Sequence, residues 1–360
     1  MRTIRIMIHL MVILAACHVL PAHSVKAADS TASSEIEKSL IEVLQSGAPP
    51  AEKAIACKKL AVDGTREAVP ELAKLLPNEQ LSSWARIALE AIPGQESSEA
   101  LRAAAQSLDG RLQVGMINSI GARRDLQAVD LLIKHLADED AEVASASAVA
   151  LGKIGGDAAT KSLRQALKSA PNAVRSAVAE GCVLCAERLH ESGDSKMAVE
   201  VYDEVRFADV PQQRIIEATR GAILARNQGG IPMLLEAFRS PDKKMFQLAL
   251  GILRVFPGSE VDRALANELA NATPQRAALM IQAMADRSDT VSLVDILKAA
   301  TQGDKLVRMS AIDSLRRVGD PSCLATLMKV VANDDAELAN AAKQTLADLP
   351  GDKVNTQIVA

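Results

Sequence analysis

The chain has 360 residues, 48% of them apolar but only 2% aromatic, with 14 Pro and 19 Gly. Sheet cores lean on aromatic and β-branched residues, so an apolar share filled by Ala, Leu, Val and Ile favours helices packed closely through small side chains. It excludes a β-sandwich, a disulfide scaffold and a disordered chain, and 41 basic against 45 acidic residues, net −4, exclude a basic surface for nucleic acid.

Arg2 and Arg5 precede an apolar run from Ile6 to Ala16, broken only by His9, and no acid occurs before Asp29. The run is too short to span a bilayer comfortably and small residues follow it, so residues 1–27 read as a signal peptide. Cleavage after Val25-Lys26-Ala27 starts the mature chain at Ala28, with residues 28–33 a short linker. Leu14-Ala15-Ala16-Cys17 resembles the bacterial lipobox, which leaves a second reading open in which Cys17 carries a lipid anchor. The residues after it, His18 to Pro21, are less polar than a lipoprotein tether usually is. Both readings export the chain, to the periplasm or the exterior, with no transmembrane span in the mature protein. Cleavage removes Arg2, Arg5 and Lys26 and no acid, leaving a mildly acidic protein.

From residue 34 onward the sequence is periodic. Helix-breaking turns fall at Gly64, Pro93-Gly94, Gly121, Gly155, Gly193, Gly229, Pro257-Gly258, Ser288, Gly319 and Pro350-Gly351, a period of about 32 residues that signals a repeat architecture. Two apolar-periodic segments lie between successive turns. Ala128 to Ala137 and Val143 to Ile154 form the clearest couplet, with apolar residues at three- and four-residue steps as amphipathic helices require. The couplet returns at 231–239 with 244–256, at 291–300 with 306–318, and at 323–332 with 338–349. One such pair cannot bury both apolar stripes, whereas stacked neighbours can, which predicts an all-α solenoid of about ten hairpins. After Pro350-Gly351, Val354, Ile358 and Val359 begin a further first helix, so the last repeat is incomplete.

Asp304 to Asp320 and Pro171 to Cys182 resemble HEAT-like repeats, with Val-Arg-x-x-Ala opening a second helix at Arg308 and Arg175. The resemblance covers residues 34–360 and implies a right-handed solenoid. Ala144 and Ala339 stand where the family pattern has Arg, which counts against a ladder of Asp–Arg contacts between repeats. The fifth hairpin is longer, and Cys185 to Val205 looks like a tetratricopeptide turn. The run as a whole resembles the N-terminal repeat region of exported planctomycete-type bacterial proteins, which often precedes a 3-keto-disaccharide hydrolase-type domain. No such catalytic domain is present in these 360 residues.

Residues suited to catalysis are sparse. His9, His18 and His23 fall in the leader, and His135 and His190 sit on different hairpins. The lone His190-Glu191 pair falls short of the several such pairs that the helical-repeat di-iron hydroxylases carry, and reads as a solvated helix end. Cys182-x-x-Cys185 lies in mid-helix, without the N-terminal position that activates a redox thiol, and no second pair supplies zinc ligands. Buried cysteines at a helix contact are expected there. Trp84 is expected to pack between helices. Tyr202, Phe207, Phe238, Phe246 and Phe256 are expected to fill the core of the central hairpins, or in part to offer an exposed anchor.

Solenoids bind along the concave face lined by second helices. Aligning those helices on their last apolar residue places Glu90, Asn118, Glu180, Gln282, Asp313 and Gln344 in one column, with Arg220 in or beside it. The column reads either as a solvated inner face or as a docking strip for a protein partner. No catalytic residue, cofactor or metal is nominated. The expectation is a non-catalytic exported scaffold for protein–protein binding or assembly. The alternative is the non-catalytic N-terminal module of a larger secreted sugar-processing enzyme.

Overall fold

The computed structural model describes residues 23–333 and 335–349, with side chains from residue 34 onward. Cys17, most of the proposed leader, and the segment bearing Val354, Ile358 and Val359 lie outside the described residues. The proposed cleavage point falls within the first helix, in a stretch whose side chains are not described.

All regular structure among the described residues is helical, and it comes in consecutive pairs. These are α1 (His23–Gln45) with α2 (Pro50–Asp63), α3 (Val69–Lys74) with α4 (Ser82–Ala91), and α5 (Gln95–Ser107) with α6 (Gly110–Arg123). Next come α7 (Val129–His135) with α8 (Ala141–Ile154), α9 (Asp157–Ser169) with α10 (Asn172–Glu191), and α11 (Ser195–Arg206) with α12 (Gln212–Ala225). The last four pairs are α13 (Ile231–Arg239) with α14 (Lys243–Val255), α15 (Glu260–Glu268) with α16 (Pro274–Ala285), α17 (Leu293–Thr301) with α18 (Lys305–Val318), and α19 (Leu324–Asn333) with α20 (Ala336–Asp348). The all-α repeat architecture expected from the periodicity is the one adopted.

The chain divides into two compact units, one ending at Gln106 and the other beginning at Ser107. In the first unit α2 packs on α4 and α1 on α3. In the second, the second helices stack in unbroken succession, α6 on α8 and so on to α18 on α20, while α7, α9 and α11 form a parallel layer of first helices. Within the second unit, second helices from α6 to α20 thus pack on their neighbours as well as across hairpins such as α7–α8 and α17–α18, which is how a solenoid buries what one hairpin cannot.

The acidic links between helices are N-caps. Asp140, Asp242, Asp304 and Asp335 accept hydrogen bonds from Glu142 N, Lys244 N, Leu306 N and Glu337 N, at 2.8 to 3.0 Å. Each satisfies a backbone donor that the first helical turn leaves unpaired, worth about 1 kcal/mol per cap. The tetratricopeptide-like turn is Ser192-Gly193-Asp194: Gly193 takes a φ of 94° and Asp194 caps α11 through Met197 N at 3.0 Å. The helix before it, α10, runs for 20 residues, longer than any other second helix of a pair.

One expected turn lies elsewhere, and another takes a specific form. Gly121 sits inside α6, which continues to Arg123 and closes on Arg124 with a φ of 54°. A Cβ at Gly121 would stand 2.9 Å from the Ala150 Cα, so this glycine serves the α6–α8 contact. Gly229 lies within a 3-10 turn, Asn227–Gly230, that Asn227 opens with a φ of 50°. Small residues also set the α8–α10 contact, where a Cβ on Gly152 would meet the Gly181 Cα at 2.6 Å.

Polar groups between second helices also differ from expectation. Arg175 reaches an acid of the next repeat: its Nη1 pairs with Asp209, in the link before α12, at 2.6 Å. Arg175 and Arg308 also close on their own hairpins. Their Nε atoms donate to the Ala170 and Ala300 carbonyls that end the preceding first helices. Further Arg–acid contacts between repeats form at the opposite ends of the helices. Asp286 bridges Arg254 of α14 at 2.7 Å and Arg317 of α18 at 2.5 Å, and Arg316 reaches Asp348 at 2.5 Å. Ala144 and Ala339 are therefore compatible with such contacts, because these use other positions.

Candidate protein-binding surface

The seven residues of the predicted column divide between the units. Glu90, in the first unit, is half-buried on α4 and receives Arg86 Nη1 at 3.1 Å. In the second unit Asn118 on α6, Gln282 on α16, Asp313 on α18 and Gln344 on α20 are all exposed. They occupy second helices that contact their neighbours in sequence, so they line one layer. They do not converge on a cavity.

Glu180 and Arg220 do converge. Both line a groove of about 620 Å³ between α10 and α12, together with Glu187, His190, Glu191, Glu217 and Tyr202. Glu180, Glu187 and Glu191 follow one another along α10 at seven- and four-residue steps, which keeps all three on one face. Glu180 and Glu217 are both engaged by Arg214, the latter at 2.7 Å. Glu187, Glu191 and Arg220 form no hydrogen bond or ion pair with any described residue. Partial loss of water raises the Glu187 carboxyl above its usual range; Arg220 pulls it back, while Glu191 and Glu217 push it further up.

The floor of the groove comes from the other helix layer. Tyr202 belongs to α11, is 2% exposed, and lays its ring against Gly221 of α12. A Cβ at position 221 would collide with ring carbons and stand 2.7 Å from the hydroxyl oxygen. Glycine there admits the ring between the helices, so that it reaches the groove. The Tyr202 hydroxyl forms no hydrogen bond with a described residue. Burial, followed by the charge of Glu187, raises its pKa, so it remains a proton donor.

Elsewhere, residues with catalytic potential are committed to structure. Cys182 and Cys185 are buried and unpaired, and desolvation raises both thiols; Cys57 is pushed up to about 11 for the same reason. His190, at the last turn of α10, is half-buried and lies 2.8 Å from Ser195 Oγ, more enclosed than a solvated helix end. His135 pairs with Asp138 at 3.0 Å. No group of three or more His, Cys, Asp or Glu among the described residues is arranged to hold a metal ion, and no described helix is long and apolar enough to cross a membrane.

The aromatic expectations need two corrections. Trp84 is 41% exposed on α4 beside Ile87, which follows one turn later and is 47% exposed, rather than packed between helices. Phe207 is 80% exposed, its ring under the Arg206 guanidinium at 5.1 Å. It sits at the C-cap of α11, past the last core-facing turn, so its helical spacing does not bring it inward. Tyr202, Phe238, Phe246 and Phe256 are buried as expected.

Residues 98–182 match the family model described as HEAT repeats. This stretch carries HEAT repeats. Helix pairs of the same kind continue after it to α20, so the HEAT-like array is a repeat scaffold. No curated protein matches the chain. Among solved structures, an engineered protein is 21% identical, covering 87% of this chain and 98% of its own, with a TM-score of 0.38. Human deoxyhypusine hydroxylase in complex with glycerol is 19% identical over 79% of this chain and 96% of its own, at a TM-score of 0.34. The Escherichia coli protein YibA is 16% identical over 73% and 95%, at 0.41. No residue role carries over from these proteins to the HEAT-like array.

The sequence column omitted Glu187, His190, Glu191 and Tyr202. The spacing of the three glutamates on α10 was available as a signal. The passage of Tyr202 past Gly221 was not, because it depends on how two layers meet.

Proposed function

We propose that this protein is an exported, non-catalytic scaffold that binds a protein partner through its layer of second helices. The observation that carries this reading is the unbroken succession of second helices from α6 to α20, which sets exposed polar residues side by side. Such a surface suits an extended partner that touches several repeats at once. The buried, desolvated thiols and the absence of a catalytic constellation among the described residues fit a binding role. The apolar run after Arg2 and Arg5 supports export, ending at Ala28 or at an acylated Cys17.

The test compares partner capture from the exported fraction by the native chain and by a variant carrying Asn118→Lys, Gln282→Lys, Asp313→Lys and Gln344→Lys. Glu236→Lys, exposed on the first helix α13, is the control. Protein partners held by the native chain and the control should fall at least about tenfold with the fourfold variant, as expected when several contacts of about 0.5 kcal/mol are replaced by repulsion. Equal recovery by all three proteins would refute the assignment of the surface.

A further inference from the structure

The groove between α10 and α12 gathers several ionisable groups, three of them without partners among the described residues, around one concavity. Arg214 is shared by Glu180 and Glu217, so that trio keeps one surplus negative charge. Glu187 and Glu191 stand one helical turn apart on the same wall, both unpaired, opposite the single unpaired cation Arg220. With His190 neutral, the lining carries a net charge of about −2, concentrated along the α10 wall, and a cation is the complementary occupant. The second, independent observation is Tyr202. Its side chain is 2% exposed, its hydroxyl has no described partner, and Gly221 is kept free of a side chain so that the ring can enter. The ring is enclosed between the helices while its hydroxyl opens onto the groove, where it is free to donate to an occupant. Leu184 and Leu224 add apolar walls suited to an alkyl stem.

We infer that this groove receives a lysine or arginine side chain from the partner protein, with its cation on Glu187 and Glu191 and a backbone carbonyl of the same segment accepting from the Tyr202 hydroxyl and Arg220. The inference rests on reading the array as a protein-binding scaffold, and it names the chemistry of the partner. A compact ammonium or guanidinium group on a flexible stem can pass the apolar walls and leave its charge between the two carboxylates. The arrangement accounts for both carboxylates, for the opposing arginine, and for the hydroxyl that opens onto the groove.

A phage-displayed library of random 12-residue peptides, selected on the full chain, tests this. Selected peptides should be enriched in Lys or Arg. Synthetic copies should lose at least about tenfold in affinity toward the Glu187→Gln/Glu191→Gln variant, the order expected when a charged partner is removed from a partly desolvated pair. Tyr202→Phe keeps the ring and removes only the oxygen. It should weaken binding about fivefold, with thermal unfolding unchanged, as loss of a single hydrogen bond implies. Replacing the basic residue of a selected peptide with norleucine should abolish the difference between native protein and the glutamine variant. The inference fails if no peptide is enriched, if enriched peptides show no basic preference, or if either variant binds them as the native protein does. Peptides without basic residues that are lost with the fourfold variant would overturn the groove and leave the scaffold reading intact. Failure of the scaffold reading is seen separately, in equal partner recovery by that fourfold variant.

Discussion

At the scale of single residues, several side chains that suggest chemistry are used for packing. Cys182 and Cys185 lie within α10, fully committed to the helix, and burial raises both thiols. Cys57 and Cys323 are buried as well, with thiols raised by the same loss of water. Thiolate is the reactive form, so all four should resist a thiol reagent at pH 8 in the native protein and react together once urea unfolds it. Rapid modification of Cys182 or Cys185 under native conditions would contradict their placement. The mid-helix position of this pair was legible from its spacing after Pro171. Trp84 and Phe207 were not legible, because periodicity assigns a face to a helix but cannot say where the neighbouring helix ends.

At the scale of elements, two polar devices tie successive repeats together. The side chain of Arg287, after α16, is 5% exposed and pairs with Asp262 of α15 at 2.8 Å, while its remaining donors reach the carbonyls of Leu253, Phe256 and Gly258. It thereby holds the turn from α14 to α15. Arg287→Met leaves Asp262 buried and unpaired, and should cost about 3–5 kcal/mol in urea unfolding. Adding Asp262→Leu should recover part of that loss, whereas a double variant no more stable than the single would show that the carbonyl contacts dominate. The second device is Asp286, bridging Arg254 and Arg317. Burial pushes its carboxyl up, but hydrogen bonds and charge from the two arginines outweigh that and hold it below the ordinary value of 3.8. A depressed folded-state pKa adds stability that is fully present above the ordinary carboxylate range and is lost as pH falls below it. Asp286→Asn should therefore cost roughly 0.5–1 kcal/mol at pH 7, modest because both arginines are half-exposed. The difference from the native protein should shrink below pH 4, and a cost independent of pH would contradict the ion-pair account. The helix pairs could be read from their three- and four-residue apolar steps and from Asp caps such as Asp140 and Asp304. The ladder at Asp286 could not, since the family pattern points to Arg175 and Arg308, at the other end of the second helices, where Arg175 meets Asp209.

At the scale of the whole molecule, the repeat is the feature on which the functional reading depends. One hairpin leaves an apolar face uncovered; the succession from α6 to α20 covers it and leaves a polar layer on the second helices. That Asn118, Gln282, Asp313 and Gln344 would all be exposed on second helices was readable because a fixed period carries equivalent positions to equivalent places. The groove at Tyr202 depends on two layers meeting through Gly221, and single-helix spacing does not encode that meeting. The most direct measurement of the binding surface is site-specific photocrosslinking in the producing cell, with a photoreactive residue at 282, 313 or 344 and controls at 236 and 325 on first helices. The scaffold account predicts crosslinks to the same partner chain from all three second-helix positions and none from the controls. Crosslinks from the controls alone, or from no position, would contradict it.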